Sequence, residues 1–220
     1  MRHEGRIEKD RYTRIEYDQF AQSAVTRALT SVLGVLTWPL TIPLALLSRL
    51  SDFIFLFCSQ LLAFFPYVVG TIARYEFYRF ALRRCGKNVM IGFGTVFIYR
   101  DIEIGDNVLI GMYNTIHHCD FGSFVLTAEG CRFLSGSRYH NFDRTDVPMA
   151  HQGGKLKRIV IADDVWVGAN AVVMANVDTG SIVGAGSVVV DDVEEYSIVG
   201  GVPAKLIKSR ERTHESDEAG

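Results

Sequence analysis

The pattern of apolar and polar positions divides the chain into two unlike parts. Residues 28–73 carry only two charges, Arg49 and Asp52, which separate two uncharged runs, 28–48 and 53–73. Roughly 20 apolar residues are needed for a helix to cross a bilayer core, and each run has that length. The pattern therefore predicts a helical hairpin over 28–73, with a short link from Ser48 to Asp52. Pro39 and Pro43 remove two backbone donors from the first helix and predict a kink, which a membrane helix tolerates when its neighbours satisfy the freed carbonyls. Three settings fit such a hairpin: a spanning pair, a re-entrant pair dipping into one leaflet, and a buried pair in a soluble fold. The lack of any polar face over two full runs disfavours the last.

Both flanks are basic. Residues 1–27 hold Arg2, Arg6, Lys9, Arg11, Arg14 and Arg27, and residues 74–88 hold Arg74, Arg79, Arg83, Arg84 and Lys87. The positive-inside bias predicts that both flanks face the cytoplasm. Segment 1–27 then reads as a basic cytoplasmic segment and 74–88 as a juxtamembrane connector, with Tyr75, Phe77, Tyr78 and Phe80 at headgroup level. The charged region before the first apolar run is too long for a secretory signal peptide. The expected location is the inner (cytoplasmic) membrane, with the remaining domain on its cytoplasmic face.

From residue 89 to 208 a six-residue period takes over. Apolar residues open hexads at Ile91, Ile104, Ile110, Ile116, Ile161, Val167, Val173, Val183 and Val189, and Gly or Ala follows at six of these nine. The fifth position is small or β-branched at Thr95, Val108, Val165, Ala171, Val177, Ser187 and Val193. An apolar residue that points inward can stack on its equivalent one coil away, and a small residue fits where the chain turns a corner. This is the pattern of a parallel β-helix, in which each coil buries its face against the next. A β-sandwich would alternate with period 2 instead. The fold class is thus mainly β. Asp178–Ser181 falls two residues short of the hexad count and predicts a tightened corner, and one extra residue enters around Leu126–Phe133. Residues 137–158 contain no hexad and must leave the coil as a long loop, a feature usually tied to function. Residues 209–220 read as a disordered tail.

Composition narrows the function classes. Among 220 residues there are 23 Lys+Arg and 25 Asp+Glu, a net charge of −2, so a basic nucleic-acid binder is excluded. Hydrophobic residues make up 48% and charged ones 22%, which excludes an acidic disordered chain. Cys58, Cys85, Cys119 and Cys131 are too scattered for a disulfide framework and suit a reducing compartment.

Three segments carry a family likeness: Ile161-Ala-Asp-Asp-Val-Trp166-Val-Gly168-Ala-Asn-Ala, Val183-Gly-Ala-Gly-Ser-Val-Val189, and Gly200-Gly-Val-Pro203-Ala-Lys205. Together with a looped-out histidine they resemble the hexapeptide-repeat acyltransferases, with most likeness to the sugar and polysaccharide O-acetyltransferases of the maltose and galactoside type. The likeness covers roughly residues 85–210 and leaves the apolar hairpin outside. It implies a left-handed β-helix, a homotrimer with active sites between subunits, acetyl-CoA as co-substrate, and no metal.

The resemblance implies that His140, in the loop beside Ser137, Arg138, Tyr139 and Asn141, is the catalytic base. Imidazole has the unperturbed pKa suited to taking a hydroxyl proton near pH 7. Trp166 matches a family tryptophan that lies against the coenzyme A arm. Gly168, Ala169, Gly184, Ala185 and Gly186 match positions where bare backbone approaches the pantetheine, which glycine permits. Lys205 and Lys208 are expected at the coenzyme A phosphates. Many relatives have Thr-Lys-Asp after the last repeat valine, where this chain reads Val190-Asp191-Asp192, so the lysine that would supply one phosphate contact is absent at that position. For the acceptor, the expected residues are Asn114 and His117 (or its neighbour His118) after a hexad opening, Arg138 and Tyr139 in the loop, and Asp143, which is also placed to orient His140.

The expected acceptor is a sugar hydroxyl, and membrane attachment points to a lipid-linked saccharide or surface-polysaccharide precursor, with membrane lipid as a further partner. Two other classes fit a β-helix. A γ-type carbonic anhydrase needs two histidines five residues apart among its zinc ligands, and His117, His118, His140 and His151 offer no such pair. A non-catalytic scaffold has no use for a looped-out histidine.

Overall fold

The protein is described by a computed structural model covering residues 24–210. The basic segment 1–23 and the tail 211–220 lie outside the described residues.

Residues 84–209 form a parallel β-solenoid with three faces. One sheet has four strands (Arg84–Cys85, Glu103–Ile104, Cys119–Phe121, Ile159–Ile161). A second has seven strands (Val89–Ile91, Val108–Ile110, Leu126–Thr127, Trp166–Val167, Ile182–Val183, Ser197–Gly200, Lys205–Ser209). The third has five (Val96–Phe97, Thr115–Ile116, Arg132–Phe133, Val172–Val173, Val188–Val189). All nine residues that open hexads are buried, as are all seven fifth-position residues. Phe97, Ile116, Phe133, Val173 and Val189 stack in register through the third sheet.

Corners decide where glycine is required. A Cβ on Gly105 would lie 2.6 Å from the carbonyl carbon of Gly122 one coil on, and one on Gly92 would lie 2.5 Å from that of Gly111. Coils at hydrogen-bonding distance leave no room for a side chain there. The tightened corner at Asp178–Ser181 is present. Val167 pairs with Val183 and Val183 with Val199, sixteen residues apart, and the first sheet shrinks in these coils to single bridges at Val177 and Val193. The last strand, Lys205–Ser209, reverses direction and pairs antiparallel with Ser197–Gly200. Ser209 and Arg210, expected in the tail, are part of this ending: the Arg210 amide donates to the Tyr196 carbonyl at 2.6 Å.

The N-terminal part differs from the expectation of two long helices. It forms α1 (Ala24–Ser48), α2 (Asp52–Ala63) and α3 (Tyr67–Ala81). α1 runs unbroken through Pro39 and Pro43. The run 53–73, however, is split at Phe64-Phe65-Pro66. Pro66 has no N–H and forces the residue before it out of the helical region, so α2 ends there. At 12 residues, α2 is about 18 Å long, short of a bilayer core of about 30 Å. Among the described residues, α1 is the one helix long and apolar enough to cross a membrane.

In the stretch 74–88, the aromatic side chains expected at headgroup level are turned into the protein. Phe77 and Tyr78 are fully buried, Tyr75 and Phe80 partly so. The physical reason is the open end of the first coil, which exposes an apolar cross-section unless it is capped. α2 packs on Val96–Phe97 and α3 on Val89–Ile91. The rings of Tyr78 and Phe97 lie 4.5 Å apart, and Ser59 Oγ joins the Tyr78 hydroxyl (2.7 Å) to the Phe97 amide (3.0 Å). The Arg74 guanidinium, 1% exposed, closes the break between α2 and α3. It donates to the carbonyls of Phe65 (2.7 Å) and Leu62 (3.3 Å) at the end of α2 and of Ile91 (2.9 Å) in the first coil, joining the helix end to the solenoid.

α1 lies along α3. Its buried stripe, Gly34, Thr41, Ala45 and Ser48, is small, which allows close approach. The buried carboxylate of Glu76 fastens the two helices by accepting from Trp38 Nε1 at 2.9 Å, with Arg79 3.5 Å away. The remaining surface of α1 and α2 is apolar and exposed, including Leu29, Val32, Leu36, Leu46, Leu50, Phe53, Phe57 and Phe64.

Candidate active site

The register of the third sheet builds one polar corner. Phe97 and Ile116 are paired, so the residues two further on, Tyr99 and His118, sit one above the other. Their rings stack at 3.8 Å and 12°. The His117 ring meets Tyr99 edge-on at 6.2 Å. One coil later the chain departs at Ser137 and returns at Arg158.

The excursion has a defined shape. Its two limbs are joined by the Asn141 amide to the Gly153 carbonyl (2.9 Å) and the Lys155 amide to the Arg138 carbonyl (3.0 Å). A Cβ on Gly154 would lie 1.7 Å from the Tyr139 carbonyl oxygen, so the limbs touch. The tip is held by Gln152, whose side chain donates to the carbonyls of Arg144 and Val147, both at 2.7 Å. An open crevice of about 680 Å³ in the loop is lined by Arg138, Asn141, Asp143, Arg144, His151 and Lys155, among others.

This loop folds back over the corner. Tyr139 meets His117 edge-on at 6.2 Å and His140 at 4.8 Å. Burial, then the Tyr139 hydroxyl, then the charges of Asp52 and Asp101 push the Tyr99 phenol up to about 12. Burial, and secondarily the neighbouring His118, hold His117 below its ordinary pKa and so favour the neutral ring. Among the described residues, Nδ1 of His117 is buried with no hydrogen-bond partner. His140 itself is exposed.

The loop's exit is clamped. Arg158 Nη1 donates to the Asp101 carbonyl (2.7 Å) and to Asp120 Oδ1 (3.0 Å), and its Nη2 pairs with the Asp101 carboxylate. The other oxygen of Asp101 lies 3.1 Å from His118 Nδ1. Tyr99, Asp101, Asp120 and Arg158 escape a reading of the sequence. The signal for Tyr99 is its equivalence to His118 in the hexad frame, hidden by the seven-residue step from Phe97 to Ile104.

Other expected acceptor residues are placed differently. Asn114 is 1% exposed and turned into the coil, where its amide donates to Thr127 Oγ1 (2.9 Å) and the Ala128 carbonyl (3.1 Å) and accepts from the Cys131 amide (2.6 Å). It staples coils together and does not face a cleft. Asp143 is engaged by Arg138 at 3.0 Å, not by His140, and Arg138 also lies over the Phe142 ring.

The residues expected at coenzyme A occupy a different edge of the solenoid. Trp166, Ile182, Ile198 and Lys208 form one row across the second sheet, with Trp166 and Lys208 exposed. Gly168 sits at the adjoining corner beneath Ala185, where a Cβ would lie 2.5 Å from the Ala185 nitrogen, and Ala169 follows it. Gly184 continues that corner one coil on, under the Val199 carbonyl. Ala185 and Gly186 are exposed; Gly186 has φ +68° and open space where a Cβ would point. Lys205 is exposed on the last strand. This corner joins the second and third sheets, whereas the Tyr99–His118 corner joins the third and first.

No protein-family model matches the sequence, and a search of curated proteins returns no match. Solved structures share the fold. A maltose O-acetyltransferase from Clostridium difficile 630 superposes with a TM-score of 0.63 at 19% identity, over 71% of this chain and 85% of that one. A hexapeptide-repeat-containing acetyltransferase from Vibrio cholerae O1 biovar eltor, solved with acetyl coenzyme A, is 25% identical over 86% of this chain and 91% of that one, with a TM-score of 0.53. An N-acyltransferase from Bacillus cereus, solved with dTDP and 3-hydroxybutyryl-CoA, gives a TM-score of 0.50 at 22% identity, over 62% and 88%. The chain thus has the parallel β-helix fold of the hexapeptide-repeat acetyltransferases.

Proposed function

We propose that this chain is a membrane-associated acetyltransferase that moves acetyl from acetyl-CoA to a sugar hydroxyl, with His140 as general base. The observation that carries the reading is the ordered excursion 137–158, which holds His140 beside the aromatic corner of Tyr99, His117 and Tyr139 on a solenoid of this fold. In the reaction His140 takes the proton of the acceptor hydroxyl as its oxygen attacks the thioester carbonyl carbon. The carbon–sulfur bond breaks, coenzyme A leaves as the thiol with that proton, and the sugar keeps the ester. Arg138 and Tyr139 in the loop, with His117 below them, are the residues assigned to the acceptor.

The coenzyme A arm fits the bare backbone at Gly186 and the exposed row of Trp166 and Lys208, with Lys205 offering further charge. Because that edge and the His140 edge are separated by the third sheet, one chain does not bring them together. A left-handed homotrimer with shared active sites does. The outer face of the second sheet supports that assembly: Met90, Leu109, Leu126, Trp166, Ile182 and Ile198 line it in register, an apolar stripe suited to burial against a neighbour.

The exposed apolar surface of α1 and α2 supports attachment to a membrane, with the solenoid on the cytoplasmic face of the inner membrane and a lipid-linked glycan or surface-polysaccharide precursor as acceptor. The test is His140→Ala. Acetyl transfer is expected to fall by at least about 10²-fold while the assembly survives. Transfer at the wild-type rate by a folded His140→Ala protein would end the assignment.

A further inference from the structure

The apolar helices meet the candidate active site at one point. The only two charges in residues 28–73 flank the link between α1 and α2, Arg49 just after α1 and Asp52 at the start of α2, and each has a partner in the segment 80–100. Arg49 donates to the Phe80 carbonyl at 3.0 Å, Arg100 donates to the Arg49 carbonyl at 3.0 Å, and the Arg100 guanidinium lies 3.5 Å from Asp52. Arg100 directly follows Tyr99, and the Asp52 charge is felt by the Tyr99 phenol. Tyr99 in turn stacks on His118 and meets His117 edge-on, and His117 meets Tyr139, next to His140.

Leu50 and Phe53 flank this latch and are 72% and 80% exposed. From Phe53 an apolar stripe continues along α2 through Phe57, Leu61 and Phe64 at helical spacing, and from Leu50 another runs back along α1 through Leu47 and Leu46. A long apolar surface therefore ends within a few residues of a polar, hydrogen-bonding corner. A molecule with a hydrocarbon tail and a hydroxylated head matches that boundary, with its tail on the helices and its head over Tyr99.

We propose that the α1–α2 turn, Leu50 and Phe53 above all, receives the hydrocarbon chain of an amphiphilic acceptor and delivers its sugar to the Tyr99–His117 corner beneath His140. This rests on the acetyl-transfer reading and adds which surface selects the acceptor. Arg100 acts here as a positioning residue, setting the turn at the height of the corner.

The test uses the full chain in phospholipid nanodiscs, with acetyl-CoA and matched methyl and dodecyl β-glycosides of glucose, galactose and N-acetylglucosamine. The expected result is a kcat/KM at least tenfold higher for the dodecyl than for the methyl form of whichever sugar is acetylated. In the double variant Leu50→Asn/Phe53→Asn that ratio is expected to fall at least fivefold. Partition of the dodecyl form into the nanodisc raises its local concentration equally for both proteins, so an unchanged ratio in the variant overturns the proposal while leaving acetyl transfer standing. Equal kcat/KM for the two chain lengths also overturns it. Failure of every glycoside to be acetylated by wild-type protein overturns both readings. A dodecyl glycoside with a diazirine near its tail supplies a readout without turnover: photolabelling at Leu50–Phe53 supports the proposal, and labelling confined to other segments overturns it.

Discussion

Arg158→Ala tests whether the order of the 137–158 excursion matters for turnover. Arg158 is the last residue of that excursion and ties it to two earlier coils through Asp101 and Asp120. Hydrogen bonds to charged groups contribute about 1.5–3 kcal/mol when well shielded. The Arg158 side chain is 31% exposed and that of Asp101 49%, so solvent weakens these pairs. A discounted value for the whole clamp is about 1–2 kcal/mol, which corresponds to a roughly 5–30-fold shift in the ratio of ordered to disordered loop. If the clamp holds His140 in place, kcat/KM for acetyl transfer is expected to fall measurably, by up to that factor, and Arg158→Lys, which keeps the charge without the fork, to fall between. Release of the coenzyme A thiol gives the rate, and amide hydrogen exchange over 137–158 reports the loop. Faster exchange in Arg158→Ala with an unchanged kcat/KM would refute the link between loop order and catalysis. No change in either would refute the clamp itself.

Three further outcomes are expected. Gly105→Ala places a methyl group 2.6 Å from the Gly122 backbone, and overpacking of this kind costs about 1–3 kcal/mol or more, visible as a lower Tm. His117 has a folded pKa below the 6.5 of the free side chain, so the unfolded chain binds its proton first as pH falls; stability is expected to drop as pH is lowered through about 6.5, and His117→Gln to flatten that slope in urea titrations at pH 5.5 and 7.5. Trp166→Asp sets a charge in the middle of the apolar stripe on the second sheet and is expected to shift the proposed homotrimer toward single chains in sedimentation, with the solenoid's circular dichroism retained.

The solenoid was legible because its rule is local. Ile91, Ile110, Val167 and Val183 announce an inward position every coil, and each is buried where the period puts it. The tightened corner at Asp178–Ser181 could be read for the same reason. The helices were less legible because their ends depend on distant partners. Phe77 and Tyr78 have a composition equally suited to a lipid headgroup layer and to the open end of a coil, and only packing against Phe97 decides between them. Pro66 was a local signal for the break after α2, outweighed in the reading by the uniform apolar character around it. In the site, His140 was marked by sitting outside the period. Asn114 sits inside it, and its place in the fifth-position ladder beside Cys131 was the sign of an internal staple. The Arg158 clamp joins residues 38 and 57 apart in the chain, beyond the reach of any short pattern.

A stack of near-identical rungs carries no intrinsic reason to end, and a bare final rung would serve as a template for the next molecule. Here the last strand turns back on itself, and its reversed direction offers nothing onto which another rung of the same polarity can be laid. With helices covering the opposite opening, neither end of the coil among the described residues presents a bare parallel rung.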